Sequence, residues 1–380
     1  MKITFIGSVL GYHQEGLANA FYNLLGDDYH YIAYGGISDY RKEAGFEDLA
    51  EKYPFVIKVD SPQKEKQANE IIKSSDVIIA AAAHNHTIKA CVESGIETYL
   101  FSERFFKKGT WKVLVPSIRK RVKARAAGYH QKNFKVLCAS AYVPYDLSLM
   151  GWHGKCYKWG YFTEVKKYDI DELLSKKATG DEPIKILWAA RFLKLKHPEK
   201  AIQVAKHLKK KKLPFKMEII GYGELEPFIL NEIEKNDLQD VITFSGKKTV
   251  PEVHQAMENS DIFLMTSDYH EGWGVVINES LNHGCVVIAD AAAGATRYLV
   301  KNGENGFVYK KSNIKTMFLV IEKLIEDEKY RKEMQKNAYL HMVNNASPEI
   351  AAKRFVELCE GKTFDEGICS PAPIIKSAKE

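Results

Sequence analysis

No stretch of the chain approaches the roughly 18–20 consecutive apolar residues that a membrane-spanning helix needs, which excludes an integral helical membrane protein. Cysteine is scarce. Its six residues (Cys91, Cys138, Cys156, Cys285, Cys359 and Cys369) show no paired CxxC spacing. Neither a zinc site nor a disulfide framework is expected, and a reducing cytoplasm is. The start, Met-Lys-Ile-Thr-Phe-Ile-Gly, lacks the apolar core of a signal peptide and reads as the beginning of a strand. The DxD-like run Asp169-Ile-Asp171 sits beside a polar linker and gives no persuasive metal pair. His84 and His86 have no evident third ligand, so no metal is expected. With 45% hydrophobic, 27% charged and 11% aromatic residues, the chain is globular rather than disordered or fibrous. Its 380 residues suit two domains.

The apolar runs have a pattern. Ile3–Ile6, Tyr31–Tyr34, Phe55–Ile57, Val77–Ala83, Thr98–Phe101 and Val136–Ala139 are short, rich in aliphatic residues and not alternating. They suit parallel strands buried on both faces, with helical stretches such as Gly16–Leu25 between them. The polar run from Ser175 to Pro183 reads as a linker. The pattern then restarts with Ile184–Ala190, Met217–Gly221, Val241–Phe244, Ile262–Met265, Val286–Ala289 and Phe307–Tyr309. The expectation is an α/β protein with two Rossmann-like, doubly wound parallel sheets, over residues 1–175 and 184–345. Ser347-Pro348-Glu349 is a helix start, with Ser as N-cap, Pro in the first turn and an acid behind it. It opens a helix over 346–360 with an apolar stripe. Residues 361–380 carry little core and are expected to be a loose tail.

The run Glu271-Gly-Trp-Gly-Val-Val-Ile-Asn-Glu279 follows a strand. Gly272 and Gly274 allow a sharp turn and close backbone approach. A helix is expected to begin near Trp273–Val275, where unpaired amides and the positive end of the dipole suit a diphosphate. Glu279, expected about one and a half turns into that helix, would repel phosphate and better suits ribose hydroxyls. Glu271, just before it, suits sugar hydroxyls. Arg191 and Lys196 lie in the loop after the strand Ile184–Ala190, where open α/β sheets bind ligands. Two cations there would meet a leaving diphosphate. A helix start with solvated charges remains the plain alternative.

With these residues in view, the second half resembles the retaining glycosyltransferases of the GT-B fold, family 4 (glycosyl transferases group 1). The resemblance runs through Arg191 and Lys196, Gly221-Tyr-Gly223, Val241–Gly246, Asp261–Ser267, Glu271…Glu279 and Gly303–Phe307. It implies a metal-independent hexosyltransferase (EC 2.4) with no cofactor and a UDP- or GDP-linked sugar as donor. Arg191 and Lys196 would hold the diphosphate and Glu271 the sugar hydroxyls. Glu279 would hold the ribose, with Gly272, Trp273, Gly274 and Val275 adding amides and Gly246 lying near the base. The sheet over 1–175 would bind the acceptor, with the helix over 346–360 crossing back onto it. A nucleotide-sugar 2-epimerase and a degenerate, non-catalytic binding module share the architecture and stay open.

The first half departs from the family at the loop after the first strand, Gly7 to Gly16, which lacks the usual Gly-Gly pair. Gly16 remains a candidate for approach to the donor, and His13 and Glu15 for acceptor or sugar contacts. His84, His86 and Glu103 also follow strands, although Glu103 stands where many relatives carry a histidine. From Arg104 to Arg125 there are nine basic residues and no acid, with Phe105, Phe106, Trp111 and Leu114 interleaved. Such a segment suits an anionic membrane surface near a glycan or lipid-linked acceptor, with a solvated charge run over a partly buried apolar face as the plain alternative. No nucleic-acid partner is expected, and cell-surface polysaccharide assembly at the cytosolic membrane face is the implied setting.

Overall fold

The computed structural model describes residues 1–36, 48–310 and 313–376. The chain forms two compact units. Unit 1 comprises Met1–Glu164 and Ala346–Lys376, and unit 2 comprises Val165–Asn345. The switch therefore falls at Glu164/Val165 and not in the polar run 175–183. The chain is tied into unit 2 from Lys166 onward: the Lys166 amide donates to Asn282 Oδ1 (2.9 Å), the Tyr168 amide donates to the Tyr339 hydroxyl (2.8 Å), and the helix Ile170–Ser175, capped by the Asp169 carboxylate, buries Leu173.

Unit 1 is a seven-stranded parallel sheet in the order β3-β2-β1-β4-β5-β6-β7. Its strands are β1 (Ile3–Gly7), β2 (Tyr29–Ala33), β3 (Val56–Lys58), β4 (Val77–Ala80), β5 (Glu97–Ser102), β6 (Phe134–Cys138) and β7 (Cys156–Lys158). Every residue of β1 and β4 is buried, as strands covered on both faces require. The half-buried β7 carries no apolar run and was not foreseen from the sequence.

The helix Pro348–Cys359 belongs to unit 1 and packs on the helix Tyr12–Leu25. The Ser347 hydroxyl caps it by accepting from the Ile350 amide. Phe355 is fully buried, with ring centres 4.9 Å from Tyr99, 5.6 Å from Trp159 and 5.7 Å from Phe21. The expected loose tail is instead tied to the sheet through residues 369–372. The Lys158 amide donates to Ser370 O (2.8 Å), and Cys369 and Ala372 donate to Lys158 O and Cys156 O (both 2.9 Å). The free edge of β7 supplies these backbone partners. Residues 377–380 lie outside the described residues.

Unit 2 is a six-stranded parallel sheet in the order β10-β9-β8-β11-β12-β13. The strands are β8 (Ile184–Ala189), β9 (Phe215–Ile220), β10 (Ile242–Gly246), β11 (Ile262–Met265), β12 (Val286–Asp290) and β13 (Gly306–Tyr309). Beneath it, the ammonium of fully buried Lys177 donates to three backbone carbonyls, Ser260 O (2.6 Å), His283 O (2.8 Å) and Met257 O (2.9 Å). It ties the end of the helix Val250–Glu258 to the end of the helix Val276–Asn282. Burial pushes the Lys177 pKa down.

Candidate active site

In unit 2 the order of strands reverses between β8 and β11, the first running out to β9 and β10 and the second to β12 and β13. Ligands of open α/β sheets bind beyond the carboxyl ends of strands at such a switch point. The loops leaving β8 and β11 carry Arg191 and Lys196, and Glu271. The structure brings Lys196 and Glu271 together as a half-buried ion pair. Arg191 is exposed at the start of its loop. A Cβ at Gly221 would come within 1.9 Å of Ala190 O, so the bare backbone at 221 is what lets this loop lie against the turn after β9.

Several bonds stitch the two loops together. The Thr266 hydroxyl receives the Trp188 indole N–H (2.7 Å) and donates to Lys196 O (2.5 Å). The Asp268 amide donates to Leu195 O (2.9 Å). Lys200, buried below, bridges Asp290 Oδ2 (2.9 Å) and Thr266 O (3.3 Å). His197 completes the seam, its imidazole lying between Asp268 (Nε2 to Oδ2 3.2 Å) and Glu199 (Nδ1 to Oε1 2.6 Å). Hydrogen bonds with Asp268 and then Glu199 raise its pKa to about 9, so it is a cation at neutral pH. Burial alone would raise the Asp268 carboxyl. Hydrogen bonds from His197 and from the amide and ring of His270 instead take it down to about 2. His197 also adopts φ +50°, which few residues other than glycine tolerate.

Sequence reasoning missed His197, Thr266 and Asp268. The one available signal was the string Lys196-His197-Pro198-Glu199 after the strand end, with no hint of Asp268.

Gly274 has φ +88°, and a Cβ there would meet Met265 Cε at 2.7 Å. The turn that follows β11 therefore needs glycine. The helix begins at Val276, a little later than expected, and runs to Asn282. Glu279 is thus in its first turn, not one and a half turns in. Trp273 points into the core, its indole N–H donating to Asn278 Oδ1 (2.9 Å). Val275 is the residue preceding the helix. Glu279 faces His254, with Oε1 3.7 Å from Nε2. His283, whose pKa burial lowers to about 4, approaches Glu279 O through Nδ1 (2.6 Å). Gly246 ends β10 with φ +63°, its carbonyl accepting from the Gly221 amide (2.8 Å).

The remaining candidates belong to unit 1. Gly16 has a packing role, since a Cβ there would meet Glu164 N at 2.9 Å and Pro348 Cγ at 3.0 Å, so its missing side chain is filled by the returning chain. Glu15 pairs with Lys52 (2.8 Å) and accepts from the Tyr53 hydroxyl. His13 lies on the same helix. His84 and His86 are exposed at the start of the helix Asn85–Glu93, their rings stacked 5.4 Å apart. Glu103 pairs with Lys107 and accepts from the Tyr161 hydroxyl (3.2 Å). Among the described residues, no group of three or more His, Cys, Asp or Glu is placed to hold a metal ion.

These two Rossmann-like units are the GT-B fold. It is shared with the lipopolysaccharide outer core galactosyltransferase WaaB (TM-score 0.68, 15% identity, covering 95% of this chain and 99% of that one). The UDP complex of Anabaena HepE shares it too (TM-score 0.65, 15% identity, 95% and 100% coverage). Residues 169–341, within unit 2, match the family model described as glycosyl transferases group 1. The amylovoran biosynthesis glycosyltransferase AmsK of Erwinia amylovora is 27% identical over 152 residues, 39% of this chain and 37% of that protein. The chain aligns with only about a third of the length of the curated relatives it matches.

Proposed function

We propose that the chain is a retaining, metal-independent glycosyltransferase of the hexosyltransferase type (EC 2.4), without a cofactor, that works in cell-surface glycan assembly. The observation that carries this reading is the Lys196–Glu271 pair seated between the β8 and β11 loops at the sheet's switch point. Lys196 and Arg191 meet the diphosphate of a nucleotide-sugar. Negative charge grows on its β-phosphate as the C1–O bond breaks, and fixed cations there lower the barrier. Glu271 holds donor-sugar hydroxyls and Glu279 holds the ribose. The acceptor oxygen bonds to C1 on the face the phosphate leaves, and its proton passes to a phosphate oxygen, so anomeric configuration is retained. The UDP bound by HepE supports a uridine-linked donor, and the amylovoran and lipopolysaccharide roles in the relatives' names support a glycan or lipid-linked acceptor.

A thermal-shift screen of UDP- and GDP-sugars tests the donor. At a hundred times its Kd, the correct one raises Tm by about 5–10 °C. No shift from any nucleotide or nucleotide-sugar would remove the reading.

No helix among the described residues is long and apolar enough to cross a membrane. We place the protein peripherally, at the cytosolic membrane face, through the segment 104–125. This segment exposes Trp111 (61%) and Leu114 (78%) together with Lys108, Lys120 and Lys123. Apolar tips with cations beside them suit an anionic bilayer, at about 1 kcal/mol per well-placed charge. The protein is expected to float with vesicles containing anionic lipid and to stay behind with neutral ones. Trp111→Ala with Leu114→Ala should abolish flotation, and flotation equal in both lipid mixtures would count against the surface.

A further inference from the structure

The basic segment is not one uniform solvated face. Two of its arginines turn inward. The Arg104 guanidinium reaches fully buried Asp146 (3.0 Å), and that of Arg125 donates to Ala83 O (2.5 Å) and Ala81 O (2.7 Å). With Lys107 and Arg121 they line a cavity of about 450 Å³ within unit 1. Its floor is made by the carboxyl ends of β1, β4 and β5. The order of this sheet reverses between β1 and β4, so the cavity sits at the unit's own switch point.

Among the described residues, the charge lining the cavity does not balance. Asp146 neutralises Arg104, and Glu103, the one acid lining the cavity among the described residues, is paired with Lys107. Carbonyl oxygens hold Arg125 in place, and among the described residues no carboxylate pairs with it. Arg121 is exposed and has no ion pair among the described residues. Two guanidiniums lining one concave space suit the oxygens of a phosphate, Arg121 through parallel N–H bonds and Arg125 through its charge and the N–H groups that its two carbonyl bonds leave over. Glu103 and Tyr161 add polar atoms suited to neighbouring hydroxyls.

We infer that this cavity binds the phosphate group of the acceptor, so that the acceptor is a phosphorylated polyol or sugar, free or borne on a lipid. The inference rests on the transferase reading for the word acceptor, while the anion site stands on unit 1 alone. The test is a titration of sn-glycerol 3-phosphate, with glycerol as the neutral control, into wild type and Arg121→Gln, each with and without saturating UDP. UDP occupies the site in unit 2, so binding that persists in its presence belongs elsewhere. Glycerol phosphate is expected to bind wild type and to bind Arg121→Gln about tenfold or more weakly, with glycerol silent and UDP affinity equal in both proteins. Glycerol phosphate binding that is absent, or equal in the two proteins, overturns the site. If the Arg121-dependent binding appears but UDP never binds, the anion site stands and the transferase reading fails. Competition by phosphatidic acid vesicles assigns the phosphate to a lipid headgroup, and failure to compete assigns it to a soluble molecule. Either result upholds the cavity as a phosphate site.

Discussion

Lys196→Ala is expected to lower turnover of the nucleotide-sugar donor by about 10²–10³-fold while leaving Tm within about 2 °C of wild type. The two halves of this result have separate causes. The rate falls because a fixed cation beside the leaving phosphate stabilises charge that develops only in the transition state, so the loss appears in kcat more than in KM. The fold survives because the loop does not depend on the ammonium for its position. Thr266 holds the Lys196 carbonyl, the Asp268 amide holds Leu195 O, and His197 bridges Asp268 and Glu199. Glu271→Gln keeps the shape of the side chain but removes the charge that strengthens its bonds to sugar hydroxyls. It is expected to cost about 10–100-fold in kcat/KM. Because the two side chains touch, the double variant should lose less than the product of the two single losses. Release of nucleoside diphosphate, followed at several donor concentrations, measures all three. A Lys196→Ala enzyme within threefold of the wild-type rate would remove Lys196 from the chemistry.

Much of this architecture was legible because it obeys one strong rule. Strands buried on both faces must be continuously apolar, so β1, β4 and β11 announce themselves in the sequence. The loops that follow β8 and β11 could be singled out for the same reason, since strand ends are where such sheets hold ligands. What stayed hidden depends on contacts between residues far apart in the chain. His197 looks like an unremarkable neighbour of Lys196 until Asp268, 71 positions later, is seen against its ring. The tail past residue 361 is polar enough to read as loose, yet the backbone of β7 offers it partners that leave no side-chain signature. Gly16 looked like a place for a ligand to approach, and the chain's own Pro348 fills it. Composition placed the boundary at 175–183, although bonds from Lys166 to Asn282 and from Tyr168 to Tyr339, with buried Leu173 behind them, commit the chain before it to unit 2.

Lys177→Met is expected to destabilise unit 2 strongly, lowering Tm by about 4–16 °C. Methionine reproduces the length of the apolar stem, so little cavity is created. What disappears is the ammonium donor to Ser260 O and His283 O, and one of the donors to Met257 O, which keeps the Ser260 amide (3.1 Å). Each buried carbonyl left without a partner costs about 1 kcal/mol or more. Relief from burying an ammonium offsets part of that sum, leaving a net loss of about 2–4 kcal/mol. For a unit of this size each kcal/mol corresponds to about 2–4 °C. The damage should also reach the candidate site by a defined path. The His283 carbonyl closes the helix Val276–Asn282, whose first turn carries Glu279, and His254 on the helix that ends beside Met257 faces that carboxylate. With both helix ends released, UDP should bind several-fold more weakly at temperatures where the variant is still folded. Calorimetry gives the Tm and titration gives the affinity. A Tm shift below about 2 °C would mean that water enters and satisfies the freed carbonyls, and that the buried lysine is dispensable to the fold.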